Sequence, residues 1–481
     1  MFEFAHLHVH SEYDRGMMRI PELAKRAREL GMHSLALTDR WSLSGAVELI
    51  HCCQHEGLAP IFGCEIVARM PAVEGTIDLP LVLLIENEDG RRNLCRLLYE
   101  CSVADSPDHT PADILTLRKH SAGLVAFSQC LPEESPAPPA KIFDLARAAM
   151  WAFKNIYPDF FLELCNHGEP GSAERNGRLA NLADELDIPV IVTNNCLYLD
   201  EADLPALEVL YKLKGIPLPA GGVGSLAGRG FCSAEEMAAK FDWLPPGVGV
   251  RSAERREQIA FNAMVEIGSF DNLDYLEWRL HYRPEPVKLL IPRLRPSTGL
   301  SPAEELAELA RAGLASRRPL LEITDPRLAE REQEYQERLD RELHEIGELG
   351  WTDYLLLIAD LRQLAKDRGI GLGPSGGAIN GSLVSFCLGL TDINPLAFGL
   401  LLVRLFREVK YPWINIYVDD ERQEEFFGCI CERLGGPDRA ARPLDFHGMN
   451  NRPLLERVAD ILGLPEATLD ELRAKIPPDR Q

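Results

Sequence analysis

The sequence predicts an α/β chain: a barrel-like layer of parallel strands covered by helices, then a second region built mainly from helices. Two observations carry this. Up to about residue 205, short and nearly continuous apolar runs alternate with helical patterns, as strands buried on both faces of a parallel sheet do. Beyond about residue 300, apolar residues recur at helical spacing within long charged segments.

Taken in order, the strands are "SLALTD" (34–39), "LAPIFGCEIV" (58–67), "LPLVLLIEN" (79–87), "AGLVAFSQ" (122–129) and "IPVIVTNN" (188–195). Helical patterns such as "IPELAKRAREL" (20–30) and "NGRLANLADEL" (176–186) lie between them. The stretch "CLPEESPAPPAK" (130–141) is a loop, because its paired prolines exclude helix and central strand alike. A glycine-rich loop, "LPAGGVGSLAGRG" (218–230), precedes an acidic helix at "SAEEM". The second region opens at "SPAEELAELARAGL", where Ser301 caps, Pro302 suits the first helical position and Glu304 completes a capping box. A charged helix over 325–350 follows, and then "TDYLLLIADLRQLAKDRGI" (352–370). There Tyr354, Leu355, Ile358, Leu361 and Leu364 form a stripe that reads as core.

At 481 residues the chain is long enough for two or three domains. Its 51 Lys plus Arg against 74 Asp plus Glu give a net charge of -23, which argues against an unaided grip on nucleic acid. Twelve cysteines, none in a C-x-x-C pair, read as buried thiols. No long apolar run or targeting motif is seen, so the expected place is the cytoplasm, with no membrane partner.

His8 and His10 flank Val9, so on a strand both imidazoles point to one face and make a good ligand pair. Asp39 and Glu65 sit in further strands, and their side chains can converge with the histidines at the C-terminal rim of the sheet. A histidine-rich strand start with satisfied hydrogen bonds explains the same residues equally well. His6 and His120 read as surface or core. Near the other end, "YPWINIYVDDER" (411–422) alternates like a strand, and "GPSGGAINGSLV" (373–384) is a glycine loop before a helix, by itself a weak anion-site signal.

Several stretches together go beyond fold class. "FAHLHVHSEY", "SLALTDRWSLSGAVEL", "IFGCEI" and "ENEDGRRNLCRLL" resemble, in order and spacing, the PHP (polymerase and histidinol phosphatase) domain that opens bacterial DNA polymerase III alpha subunits. "GIGLGPSGGAINGSLVSFCLGLTDINPLAFGLL" with "YPWINIYVDDER" resembles the start of that family's palm, and "RPLLERVADILGLPEATLDELRAKIPP" the beginning of its thumb. The resemblance implies a PHP-type (β/α) barrel-like domain over 1–285, an α+β partial palm over 286–435 and a short helical thumb-like segment over 436–481. It covers less than half of such a polymerase.

Active PHP domains hold a small metal cluster through His, Asp, Glu and Cys ligands and hydrolyse phosphoesters with it. By resemblance, His8, His10, Glu65 and Cys130 match ligand positions, with Asp39 in support. Other ligand positions have changed. The Asp expected after "HSEY" falls in a shortened segment where Arg15 stands and only Asp14 is near; the His of the usual "TDH" is Arg40, the His before "LVLL" is Pro80, and the last motif carries Asn195 and Leu197. A guanidinium and lost acids disfavour a cluster. The expectation is no full cofactor complement, and at most one weakly held manganese, zinc or iron ion on His8, His10 and Glu65.

Two-metal nucleotidyl transfer needs carboxylates close together. The three Asp positions of the family's palm strand are here Trp413, Asn415 and Tyr417, and in the glycine loop the Arg and first Ser positions are Gly376 and Ala378. Asp419, Asp420 and Glu421 read as a solvated turn or helix start. No catalytic residue is therefore assigned. The expected function is a non-catalytic polymerase III alpha-like accessory or scaffold in DNA replication or repair, contacting a polymerase, an exonuclease or a translesion factor. Alternatives are a metal-dependent phosphoesterase or 3′-5′ exonuclease of the PHP class, and one part of a split DNA polymerase.

Overall fold

The computed structural model describes residues 4–71, 75–102, 109–132, 139–219, 221–244, 280, 282, 291–292, 299–373, 377–401, 414–436, 439–440 and 451–475. Two compact units divide the chain: Met1–Glu285 together with Gly448–Gln481, and Pro286–His447.

The first unit holds a seven-stranded sheet made of β1 (Ser34–Leu37), β2 (Ala59–Pro71), β3 (Thr76–Ile85), β4 (Ala112–Asp113), β5 (Leu124–Ser128), β6 (Phe160–Cys165) and β7 (Val190–Thr193). Its path runs β1-β2-β3-β5-β6-β7, with β4 paired to β2. The sheet is mixed where the sequence suggested parallel strands, because β3 runs antiparallel to both β2 and β5. β2 ends at Pro71 and β3 begins at Thr76, and a parallel pair needs a crossover of a dozen residues or more. The pairs β1–β2, β5–β6 and β6–β7 are parallel. Every residue of β1, β5, β6 and β7 is buried, as strands covered on both faces must be.

The helices of this unit are α1 (Ile20–Glu29), α2 (Ala46–Glu56), α3 (Glu88–Cys101), α4 (Ile114–Lys119), α5 (Pro139–Ile156), α6 (Ser172–Glu185), α7 (Leu204–Lys214) and α8 (Ala234–Lys240). α1 shows why they dock: Ile20, Leu23, Ala24 and Ala27 line one face and are buried, while its polar residues face out. Each large apolar side chain buried in this way contributes about 1.5–3 kcal/mol.

The sheet path closes through a segment that is itself outside the named strands. Val9 pairs in parallel with Cys196 just past β7, through His10 N–H to Cys196 O at 3.0 Å and Cys196 N–H to His8 O at 2.9 Å. On its other side, Thr38 N–H donates to Val9 O at 2.9 Å and Val9 N–H to Thr38 Oγ1 at 2.8 Å, just past β1. The two ends of the path, β1 and β7, are thus joined at one rim by residues 8–10, and the sheet curls into a barrel-like layer.

The second unit contains α9 (Pro302–Ser316), α10 (Arg318–Thr324), α11 (Leu328–Glu348), α12 (Thr352–Asp367), α13 (Leu383–Cys387) and α14 (Gln423–Leu434). The capping box at Ser301 and Glu304 forms, and Leu355, Ile358 and Leu364 are buried, with Tyr354 and Leu361 packed beside them. Glu342 of α11 is fully buried and accepts from Arg338 Nε at 2.5 Å, Ser382 Oγ at 2.9 Å and Val384 N–H at 3.0 Å. That carboxylate fastens the end of the glycine loop to α11. Among the described residues, strand structure here is limited to one bridge, Leu372 with Val418.

The last helices, α15 (Asn451–Leu462) and α16 (Glu466–Lys475), which the sequence reading sets apart as thumb-like, lie in the first unit. α15 packs on α7, and Arg457 donates to Leu213 O at 3.1 Å.

The entry to α3 tests the packing. A Cβ at Gly90 would lie 1.8 Å from the Gly123 carbonyl oxygen, so backbone must move to admit it. Gly90→Ala is expected to destabilise the protein by about 1–3 kcal/mol, read as a lower urea midpoint with an unchanged slope.

Candidate metal centre

Alternation on the closing segment sets the site. Val9 points into the core, and His8 and His10 project together to the opposite side, with their Nε2 atoms 3.3 Å apart. Glu65 of β2 brings Oε2 to 3.0 Å from His8 Nε2 and 3.7 Å from His10 Nε2. All three side chains are buried, and their ligand atoms lie within 4.8 Å of one another. His10, Asp14 and Asp39 form a second such group.

The other nitrogen of each imidazole is held by an acid. His8 Nδ1 lies 2.7 Å from Glu163 Oε1 on β6, and His10 Nδ1 lies 2.9 Å from Asp14 Oδ2. Glu163 also accepts from Thr193 Oγ1 on β7 at 2.5 Å. Carboxylate–imidazole pairs of this kind fix the tautomer and orient the free nitrogen of a metal-binding histidine. Lys214, at the end of α7, donates to Glu12 O at 2.9 Å and to Asp14 O, and so fastens the segment that carries Asp14. Gly16 is required beside it, since a Cβ there would lie 2.0 Å from His10 O.

Two imidazole nitrogens and a carboxylate oxygen suit one divalent ion such as zinc, manganese or iron. Arg40 restricts the site. Its Nε stands 3.4 Å from Glu65 Oε1, where its positive charge disfavours a second ion, and its main-chain N–H donates to Asp14 Oδ2 at 2.9 Å. Arg15 Nε lies 3.8 Å from Asp14 Oδ2.

Protonation follows from these neighbours. Burial alone would push His8 down, but Glu163 and Glu65 on its two sides raise it to about 9. For Glu65, burial is outweighed by His8, Arg15, Arg40 and His10, which hold it well below the ordinary carboxylate range. Asp39 is raised by burial to about 7, although Ser11 donates to it from N–H at 2.6 Å and Oγ at 2.7 Å.

Of the residues singled out in the sequence, His8, His10 and Glu65 come together, and Asp39 joins through His10 and Asp14. Cys130 lies in neither ligand group; it is buried, and burial pushes its thiol up. Pro80 sits in the β2–β3 ladder opposite Val67, Asn195 is half-buried with a positive φ of 45°, and Leu197 is core. His6 is a core histidine with Nε2 at 2.9 Å from Cys232 O, and His120 is buried beside Glu100. Glu163 was missed; its signal is a lone acid inside the apolar run "FFLELC".

In the second unit, Trp413 and Gly376 lie outside the described residues, and Ala378 falls in a 3-10 turn over Gly377–Gly381. Residues 414–418 keep alternate facing but do not form a strand: Ile414, Ile416 and Val418 turn inward, while Asn415 and Tyr417 are exposed. Gly373 donates to Tyr417 O at 2.9 Å, and a Cβ on Gly373 would lie 3.1 Å from Tyr417 Cβ. Asp419 caps a 3-10 turn, Asp420–Arg422, by accepting from Glu421 N–H at 3.3 Å.

Family models agree with both halves. Residues 6–167 match the PHP domain, and residues 304–481 match the bacterial DNA polymerase III alpha NTPase domain. The chain is a homologue of the bacterial DNA polymerase III alpha subunit. It is similar to that subunit from Helicobacter pylori strain J99 at 29% identity over 99% of this chain, from Caulobacter vibrioides at 29% over 98%, and from Aquifex aeolicus at 27% over 99%. The chain spans about two fifths of their length, 40% to 41%. A solved amidohydrolase from Chromobacterium violaceum aligns with a TM-score of 0.32 and 14% identity over 39% of this chain and 86% of that one, a likeness that carries no functional argument. No described helix of this polymerase III alpha-like chain is long and apolar enough to cross a membrane.

Two measurements test the rim. Glu163→Gln is expected to weaken zinc or manganese binding about 10–100-fold by loosening His8, and His10→Ala to abolish it, in equilibrium dialysis. In chelator-treated protein, His8 has a folded value of about 9 against 6.5 ordinarily. Its stabilisation is therefore complete below pH 6.5 and lost as pH rises through 9. The melting temperature should fall across that window, and fall less in His8→Gln.

Proposed function

We propose that this chain is a non-catalytic polymerase III alpha-like protein that serves DNA replication or repair through contacts with other proteins. One observation carries the reading: the palm positions at which the family resemblance requires three aspartates hold Trp413, Asn415 and Tyr417. Two divalent ions at a triphosphate need anionic oxygens, and a neutral amide beside two aromatic rings supplies none. Asp419, the nearest acid in phase, is engaged in capping a turn. The PHP-like region over 1–285 then serves as a platform, with palm-like residues 286–435 and thumb-like residues 436–481. Its metal complement is at most one weakly held ion on His8, His10 and Glu65.

The net charge of -23 supports a partner with a basic surface over an unaided hold on DNA. By chemistry and resemblance, candidate partners are a polymerase, a proofreading exonuclease or a translesion factor, in the cytoplasm.

A second reading, a metal-dependent phosphoesterase of the PHP class, draws on the convergence of His8, His10 and Glu65 and on the acids that orient both imidazoles. The two readings separate in one set of assays on the purified chain. The scaffold reading expects no primer extension with magnesium or manganese, about one metal ion per chain or none, and no phosphatase or exonuclease activity. Template-dependent extension overturns it. Metal-dependent hydrolysis that disappears in His10→Ala replaces it with the second reading.

A further inference from the structure

A cluster of cations elsewhere on the same rim is left without a task by the candidate metal centre. It is built where β6 and β7 end. The loop after β6 carries His167, whose Nε2 lies 3.0 Å from Asn194 O. Against it packs the turn Gly228–Arg229: a Cβ at Gly228 would fall 2.4 Å from His167 O, and Gly228 has a φ of 78°, so the close approach requires glycine. Arg229 is fixed by its main chain, donating N–H to Tyr198 Oη at 3.1 Å and accepting from Leu197 N–H at 3.0 Å. Lys240, the last residue of α8, donates Nζ to Asn194 Oδ1 at 2.8 Å and to Gly228 O at 2.7 Å. Arg175 stands in the first part of α6, where both terminal nitrogens share a single oxygen of Glu169 at 3.3 Å.

Two features single this cluster out in a chain of net charge -23. The Nε atoms of Arg175 and Arg229 are both buried, and neither has an acceptor. A buried N–H without a partner is uncommon and costly, and here two belong to guanidinium groups. The charges that act on His167 also have one sign. Beyond burial, Arg229, Lys240 and Arg175 all act to keep the His167 imidazole neutral. The acids nearby are each engaged: Glu169 with Arg175, Glu163 with His8, and Glu201 with Gly228 N–H at 3.0 Å and with Tyr198 Oη at 3.0 Å.

We propose that Arg175, Arg229, His167 and Lys240 form a binding site for a phosphate group, either inorganic phosphate or the terminal phosphate of a nucleotide. Guanidinium forks match the tetrahedral oxygens of a phosphate, and those oxygens supply the acceptors that the two Nε–H groups lack. The ammonium of Lys240 has a third N–H to contribute, and the neutral His167 ring adds a polar edge without repelling a proton-bearing phosphate oxygen. The site is separate from the ligand groups at His8, His10, Asp14, Asp39 and Glu65, and it stands whether or not the chain is catalytic.

The test is calorimetric titration of the whole, chelator-treated chain with inorganic phosphate at fixed ionic strength, against sodium chloride as control. Saturable binding is expected. Arg229→Met and Arg175→Met should each raise Kd about tenfold or more, as loss of a charged hydrogen-bond donor does, while Arg147→Met, on the surface beside Glu185, leaves it unchanged. A parallel titration with a nucleoside 5′-monophosphate names the source: equal affinity assigns the site to phosphate itself, and tighter binding assigns it to a nucleotide end. Binding that is absent with both probes, no stronger than the chloride response, or unaltered in both arginine variants overturns the proposal. If Arg229→Met fails to fold, Arg175→Met decides alone, since its side chain is partly exposed and tolerates replacement.

Discussion

Everything at the rim of the first unit depends on the pairing of residues 8–10 with the ends of both β1 and β7. This single segment joins the two ends of the sheet path. It also presents both imidazoles, since only one residue separates them and that residue, Val9, is committed to the core. The pairing leaves no freedom of register: a slip by one residue would bury both histidines in the core and turn Val9 to the rim. The closure of the fold and the shape of the site are therefore one constraint, and the scaffold can keep the histidines in place for structural reasons alone.

Charge at the rim is balanced in an economical way. Asp14, Asp39, Glu65 and Glu163 are gathered in a small, largely buried region that cannot hold four uncompensated carboxylates. Compensation comes from His8, which keeps a proton between two acids, from Arg40 and Arg15 at the edge, and from the main-chain and hydroxyl donors of Ser11. Each guanidinium supplies positive charge that a metal ion would otherwise bring. The same residues that narrow the site for metal thus make a metal-poor rim tolerable to the fold.

Much of this was legible in the sequence, for physical reasons that also explain the gaps. The strands containing Leu35, Ile61, Leu83, Val125 and Ile191 are local apolar runs, and the capping box at Ser301 and Glu304 is a pattern four residues long. The facing of His8, His10 and Glu65 follows from period-two alternation. The antiparallel course of β3 was missed although its cause is local: the link from β2 is too short for a parallel crossover, but a strand read only as an apolar run carries no direction. Glu163 was missed too: its partner His8 is 155 residues away, and in the sequence an acid within "FFLELC" only weakens a strand signal. Cys130 matched by motif, yet among the described residues it lies in neither ligand group.

The two units keep and lose residues by the same rule. In the glycine loop, Ser382 persists at a place where it donates to the buried Glu342 and caps α13, and Gly373 persists where a side chain would crowd Tyr417. Gly313 is held likewise, since a Cβ there would meet the Cys387 carbonyl at 2.0 Å. The positions that the family resemblance assigns to phosphate and magnesium, 376, 378, 413, 415 and 417, carry no charge at all. Residues with a packing task remain and residues with only an electrostatic task are replaced, which is the pattern that the proposed scaffold reading expects. The cation cluster around Arg229 departs from that rule, for its guanidinium Nε serves no internal acceptor. That buried Nε–H is the donor for which the proposed phosphate would supply the acceptor.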